Sequence, residues 1–185
     1  MQIVVHRLDR TRYRSVIDRD DGVRYLLDGV GAKGRLPHDL VHYVVESEIG
    51  LDQGFWGSIA DGAVFPSMTW LYGRRRSHAT ERGEAVMSAN HDPLNAAEVL
   101  AAIFAAALER DFAGGEIVLA GEIHRRWTSR SGGGGGTDLS RDQTARTAAA
   151  LRDMAERWER TPVGQSLSVA WNRRSLGRMQ RRARQ

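Results

Sequence analysis

The chain of 185 residues contains no cysteine, and this absence removes several classes of protein at once. A disulfide scaffold, a cysteine-ligated zinc or iron–sulfur site and thiol catalysis all require that residue. Long apolar runs are missing as well, since the longest, residues 99–108, is ten residues long, about half of a membrane span. The N-terminus lacks the apolar segment of a signal peptide. We therefore expect a cytoplasmic protein without a membrane span, in which any metal ion is held by histidine and carboxylate groups.

Lysine is almost absent too, because Lys33 is the single lysine among 27 basic residues. Residues 172–185 hold six arginines and no acid. Since the whole chain carries a formal charge of +4, residues 1–171 carry −2. The high isoelectric point therefore belongs to this tail, which we expect to be disordered. The alternative is an arm that binds nucleic acid or an acidic partner through Arg173, Arg174, Arg178, Arg181, Arg182 and Arg184.

The hydrophobic pattern predicts an α+β fold. Runs rich in β-branched and aromatic residues at 2–8, 12–18 and 23–27 predict an N-terminal antiparallel sheet, and the alternation at 165–171 predicts a C-terminal strand that joins it. Apolar residues at helical spacing predict three main helices packed on that sheet, at 37–49, after Pro93 and after Ser140. We expect one domain over 1–171, with a flexible glycine-rich loop at 131–137.

One segment, Leu36 to Glu46, combines histidines and acids on one side of a predicted helix. At about 100° per residue, His42, Glu46 and Asp39 lie about 40°, 80° and 100° from His38, while most of the apolar residues lie opposite. Histidines four residues apart on a helix can bind one metal ion from the same side. His38 and His42 are therefore candidate metal ligands, and a divalent metal such as zinc is the cofactor they imply.

The two acids of this segment have different candidate roles. Asp39 follows the first histidine and is the candidate general base. Glu46 lies eight residues from His38, roughly 12 Å along the axis, so it is a poor third ligand beside both histidines. It is instead a candidate catalytic group that orients the ring of His42 from i+4. A third ligand must come from elsewhere, and the sequence offers His78, His91, Asp92 and His124.

The His-Asp-x-x-His pattern of residues 38–42 resembles the His-Glu-x-x-His motif of zinc metallohydrolases over those five residues. The resemblance implies metal-dependent hydrolysis, although aspartate is one methylene shorter than the glutamate of that motif. The longer segment LPHDLVHYVVE also resembles one in an arginine-rich protein family of actinobacterial type, and that resemblance implies no activity.

Three functions are open at this point. The first is a metal-dependent hydrolase, or a metal-free acid–base enzyme, that acts on a small-molecule or peptide substrate at the helix 37–49. The second is a module that binds nucleic acid or an acidic partner through the tail. The third is a helical protein-interaction domain without catalysis, in which the histidines are surface polar residues. Glycine-flanked aromatic residues at 54–57 and 69–73 favour either a pocket wall or packing at a helix end.

Overall fold

The computed structural model describes residues 1–29, 34–75, 77–113, 118, 119, 121, 122 and 139–172. Five strands form one antiparallel sheet in the order β4-β3-β2-β1-β5. Their bounds are β1 Gln2–Arg7, β2 Tyr13–Asp18, β3 Arg24–Asp28, β4 Met68–Tyr72 and β5 Ser166–Ala170. The predicted α+β class, the N-terminal meander and the C-terminal strand beside β1 are thereby confirmed.

One face of the sheet is buried, because side chains alternate across each strand. In β2 the buried positions are Tyr13, Ser15 and Ile17, and they alternate with half-buried ones. Val5 and Ile3 on β1, the cross-strand partners of Ser15 and Ile17, are also buried. The helices, and with them the candidate site, pack against this face of the sheet.

Five helices lie within the described residues. They are α1 His38–Ile49, α2 Phe55–Asp61, α3 Ala79–Ala89, α4 His91–Glu109 and α5 Arg141–Glu159. The helix α1 packs against both α4 and α5. Buried residues of the sheet and of these helices form one hydrophobic core. Among the described helices, none combines the length and the apolar character required to cross a bilayer.

The predicted helix start at Ser140 is confirmed, whereas α4 begins at His91 and not after Pro93. A capping box at Ser140 and Gln143 begins α5 as predicted. The sequence did not predict α2, α3 and β4, and each lacks the expected pattern. Helix α2 is seven residues long, α3 buries only Gly83, and β4 buries only Met68. Short or solvated elements show little hydrophobic periodicity, so a pattern search misses them.

Several predictions concern residues outside the described ranges. The glycine-rich loop at 131–137, the six tail arginines and His124 all lie there.

Candidate metal site

The site is built on α1, whose ends follow from the sequence. Pro37 precedes the helix, and Gly50 ends it with a left-handed φ of 82°, a conformation that glycine adopts without strain. The apolar residues Leu40, Val44 and Val45 enter the core. The polar stripe beside them is also covered, since His42 is 1% and Glu46 0% exposed. His42 is therefore not the surface residue that the interaction-domain hypothesis assumed.

The His42 ring is held between two carboxylates. Its Nδ1–H donates to Oε1 of Glu46 across 2.9 Å, which fixes the orientation of the ring. On the other side, Nε2 is buried and lies 3.5 Å from Oε1 of Glu98 on α4. The pair is within ion-pair distance but outside hydrogen-bond geometry, and Nε2 has no hydrogen-bond partner among the described residues. A buried nitrogen in this state is unusual and calls for an explanation.

Both oxygens of the Glu46 carboxylate accept hydrogen bonds that position neighbouring groups. It accepts hydrogen bonds from the backbone N–H groups of Phe55 and Trp56, each at 3.0 Å, in addition to the one from His42. These amides belong to the first turn of α2, where N–H groups have no partner within the helix. Gly54 makes the approach possible, because a Cβ there would lie 2.6 Å from Cδ of Glu46. Glu46 thus joins α2 to α1 and aligns the ring of His42.

His38, His42 and Glu98 form the one cluster of three metal-ligating side chains found in the described part of the chain. One ligand atom from each lies within 4.8 Å of the other two. Ligand atoms around a tetrahedral zinc ion are about 3.4 Å apart, given zinc–ligand bonds near 2.0–2.1 Å. The His42 and Glu98 atoms already meet that spacing at 3.5 Å. Side-chain rotation of the exposed His38 and Glu98 can bring the other ligand atoms to the same spacing, while His42 stays fixed.

Asp39 points to the sheet. Its carboxylate accepts hydrogen bonds from Oγ of Ser15 at 2.6 Å and from the hydroxyl of Tyr13 at 3.2 Å, and it is 7% exposed. Its backbone carbonyl accepts from Nε1 of Trp56 at 3.0 Å. These contacts fix the first turn of α1 on β2. Asp39 and Tyr13 nevertheless border the same cavity as His38 and Glu98.

The pKa shifts of the site follow from burial and from its charges. Burial alone lowers the pKa of His42, but its hydrogen bond to Glu46 and the proximity of both carboxylates, Glu46 and Glu98, raise it to about 9. Burial and the neighbouring His42 lower the pKa of His38. Burial raises the pKa of Glu46, and the His42 ring and two amide donors oppose that rise. The His42 ring, 3.5 Å away, lowers the pKa of Glu98.

Burial also raises the pKa of Asp39, against the two hydroxyl donors that stabilise its charge. A carboxyl group of raised pKa beside a cavity can accept and return a proton nearer to neutral pH than an exposed one.

A cavity of about 670 Å³ opens beside this cluster. Its walls include His38, Asp39, Glu98 and Phe55. The ring of Phe55 lies 5.3 Å from that of His42, measured between centroids, so it covers the histidine. A ligand-sized space therefore adjoins His38 and Glu98, two of the three groups of the cluster.

The third group is not one that the sequence proposed. His78 and His91 are exposed and pair locally with Glu81 and Asp92, away from the cluster. Asp92 lies in the first turn of α4. The sequence pattern did not indicate Glu98 as a ligand, although it is the only charged residue in the sequence between positions 93 and 108. A lone acid in an apolar helix is the signal that could have identified it.

Comparison of the chain with protein-family models, with curated proteins and with solved structures found no match. The two resemblances described from the sequence therefore stay predictions.

Proposed function

We propose that the protein is a metal-dependent hydrolase whose zinc ion is held by His38, His42 and Glu98. The observation that carries the proposal is the buried Nε2 of His42, which lacks a hydrogen-bond partner among the described residues and lies between two further candidate ligands. A metal ion at this point would satisfy that nitrogen.

The surroundings of His42 support the same assignment. Metal-bound histidines commonly donate their other N–H to a carboxylate, which fixes the ring and raises its basicity. The bond from Nδ1 of His42 to Glu46 has this form. Three protein ligands leave one position of a tetrahedral ion for water or substrate, as in catalytic rather than structural zinc sites. The adjoining cavity offers space for that fourth ligand.

Zinc bound here would lower the pKa of a coordinated water to about 7 and polarise a substrate carbonyl. Other residues around the site would position the ligands, shield them from water and transfer a proton. Glu46 holds His42 in place, and Phe55 shields the ring from water. Asp39 is our candidate general base, since it borders the cavity and burial raises its pKa. Tyr13 and Ser15 hold its carboxylate in position.

Zinc affinity of the purified, tag-free protein tests the metal site. We expect one Zn²⁺ per chain in competition with a chromophoric chelator, and at least about a 100-fold loss of affinity in His42→Ala and Glu98→Gln. His78→Ala and Glu81→Gln are matched controls, because they remove an exposed histidine–carboxylate pair outside the cluster. Equal affinity in all four variants, or no stoichiometric binding, would contradict the proposal.

Hydrolysis is tested separately on a panel of chromogenic esters and amides. We expect turnover by the zinc-loaded protein that a chelator abolishes and Zn²⁺ restores. Asp39→Asn should lower kcat and alter its pH profile while zinc affinity stays unchanged. If Asp39→Asn lowers only thermal stability, Asp39 serves to position α1 and another group is the base. Chelator-resistant turnover would argue for metal-free acid–base chemistry instead.

A further inference from the structure

The cavity beside the cluster is lined by residues spread along α4. Glu98 and Glu109 both line it. They are eleven residues apart on one helix, roughly 16 Å along its axis at about 1.5 Å per residue. His38 adjoins Glu98 at one end, which we call the metal end. Asp28 and Gly34 line the cavity with Glu109, and a Cβ on Gly34 would lie 2.7 Å from Oε1 of Glu109, so these groups mark the remote end.

The walls between the two ends are apolar. Small side chains of α4, Ala105 and Ala106, leave room for a ligand. Larger apolar side chains from the sheet, from the segment before α1 and from both helices complete the walls, namely Leu27, Leu36, Val41 and Leu108. An extended hydrocarbon segment would bury its surface here, with a gain of about 25 cal/mol per Å².

Charge at the remote end is negative. Asp28 and Glu109 supply two carboxylates, of which that of Asp28 is paired with Arg14, and no arginine or lysine is among the described residues that line the cavity. Among the described arginines near this end, one is paired with a carboxylate of the remote end itself and two are paired with other acids. Arg14 pairs with Asp28 at 2.9 Å on the exposed side, Arg35 with Asp111, and Arg110 with Glu122. Glu109 accepts a hydrogen bond from the backbone N–H of Arg35 at 2.7 Å, which leaves its net charge in place.

The C-terminal end of α4 adds to the negative electrostatic potential at the remote end. The helix terminates at Glu109, and its last turn contains no basic residue. The C-terminal end of a helix carries partial negative charge and favours a cation nearby. Recognition of a phosphate or carboxylate at the remote end would instead call for an arginine fork or a lysine.

We infer that the substrate is an extended, mainly apolar molecule with a cationic amine at the end remote from the metal. This inference rests on the proposed zinc site, which would hold the scissile group at the metal end. The apolar walls would take the chain, and Glu109 would face the ammonium group, with the Arg14-paired Asp28 beside it. Substrates with a phosphate or carboxylate at that position are disfavoured.

Three hydroxamates of one chain length test the inference, because each carries the same metal-binding group and a different group at the other end of its chain. They are octanehydroxamic acid, 8-aminooctanehydroxamic acid and suberic acid monohydroxamate. We expect the zinc-loaded protein to bind the amine at least about tenfold more tightly than the carboxylate, with the neutral compound between them. Glu109→Gln should reduce this ratio by several-fold, whereas Glu84→Gln, on the exposed side of α3, should leave it unchanged.

The outcomes separate the two proposals. If all three hydroxamates bind only in the presence of Zn²⁺ but with equal affinity, or the carboxylate binds best, the substrate inference is wrong and the zinc site stands. If none of them binds more tightly with zinc than after chelator treatment, the proposed function itself is contradicted. The order of the three hydroxamate affinities on the wild-type protein decides between these outcomes even where Glu109→Gln fails to fold. Asp28→Asn provides a second variant at the remote end.

Discussion

Replacing Glu46 with glutamine perturbs the group that joins α1, α2 and the His42 ring. The carboxylate accepts three hydrogen bonds, two at Oε1 from His42 and Phe55 and one at Oε2 from Trp56. Glutamine keeps one acceptor oxygen and turns an NH₂ group toward at least one of these donors. It also removes the negative charge beside a histidine whose pKa is raised to about 9.

The expected cost follows from those contacts. Losing a charge-assisted hydrogen bond and leaving a buried donor unsatisfied each cost on the order of 1.5–3 kcal/mol, and partial relaxation of the α2 N-terminus recovers some of it. We expect Glu46→Gln to lower the free energy of unfolding by about 2–4 kcal/mol at pH 7, since removal of one partner of a buried pair is strongly destabilising.

Urea unfolding of the metal-free protein measures this change, with an unchanged dependence on urea showing that the unfolded state is the same. Glu48→Gln is the matched control, because Glu48 is a half-buried glutamate on another face of the same helix. It should cost no more than about 0.5 kcal/mol. A Glu46→Gln protein as stable as Glu48→Gln would refute the view that this carboxylate holds the site together.

Other predictions concern packing, capping and proton linkage. Gly54→Ala should destabilise the protein by about 1–3 kcal/mol in urea unfolding, since its Cβ would meet the Glu46 carboxylate at 2.6 Å, and an unchanged midpoint would contradict that contact. Ser140→Ala should cost about 1 kcal/mol through loss of the α5 capping box, and no loss would mean that the box contributes nothing. Because the pKa of His42 is raised to about 9, the metal-free protein carries a proton there at pH 7, so zinc binding should release it. Calorimetry in buffers of different ionisation enthalpy should show about one proton released at pH 7 and less above pH 9, and a pH-independent value near zero would contradict this.

The main elements of the fold were predictable because their hydrophobic periods are clear. Alternation in β2 and helical spacing in α1 and α5 each match the face that is buried. The elements that the sequence did not reveal are short or mostly exposed, as α2, α3 and β4 are. Helix α2 is placed by its backbone amides on Glu46, and an interaction of backbone groups leaves no pattern in the side chains.

The candidate site was predictable only along one helix. Spacing within α1 placed His38, His42 and Glu46 on one stripe, and that required no knowledge of the tertiary fold. Glu98 comes from α4, which packs on α1 but begins more than 40 residues after α1 ends, and no local period encodes such a contact. The orientation of the Asp39 carboxylate likewise depends on its hydrogen bonds with Ser15 and Tyr13 of β2. Its role could therefore not be predicted from the helix alone.

The central claim is that one metal ion bridges α1 and α4 at His38, His42 and Glu98. X-ray absorption at the zinc edge, on protein loaded with one equivalent of Zn²⁺, tests it most directly. The account predicts four-coordinate zinc with two imidazole ligands and two oxygen ligands, and with bond lengths of about 2.0–2.2 Å. His42→Ala should lose one imidazole contribution, and His78→Ala should leave the spectrum unchanged. A spectrum of oxygen ligands alone, or two imidazoles that persist in His42→Ala, would contradict the site.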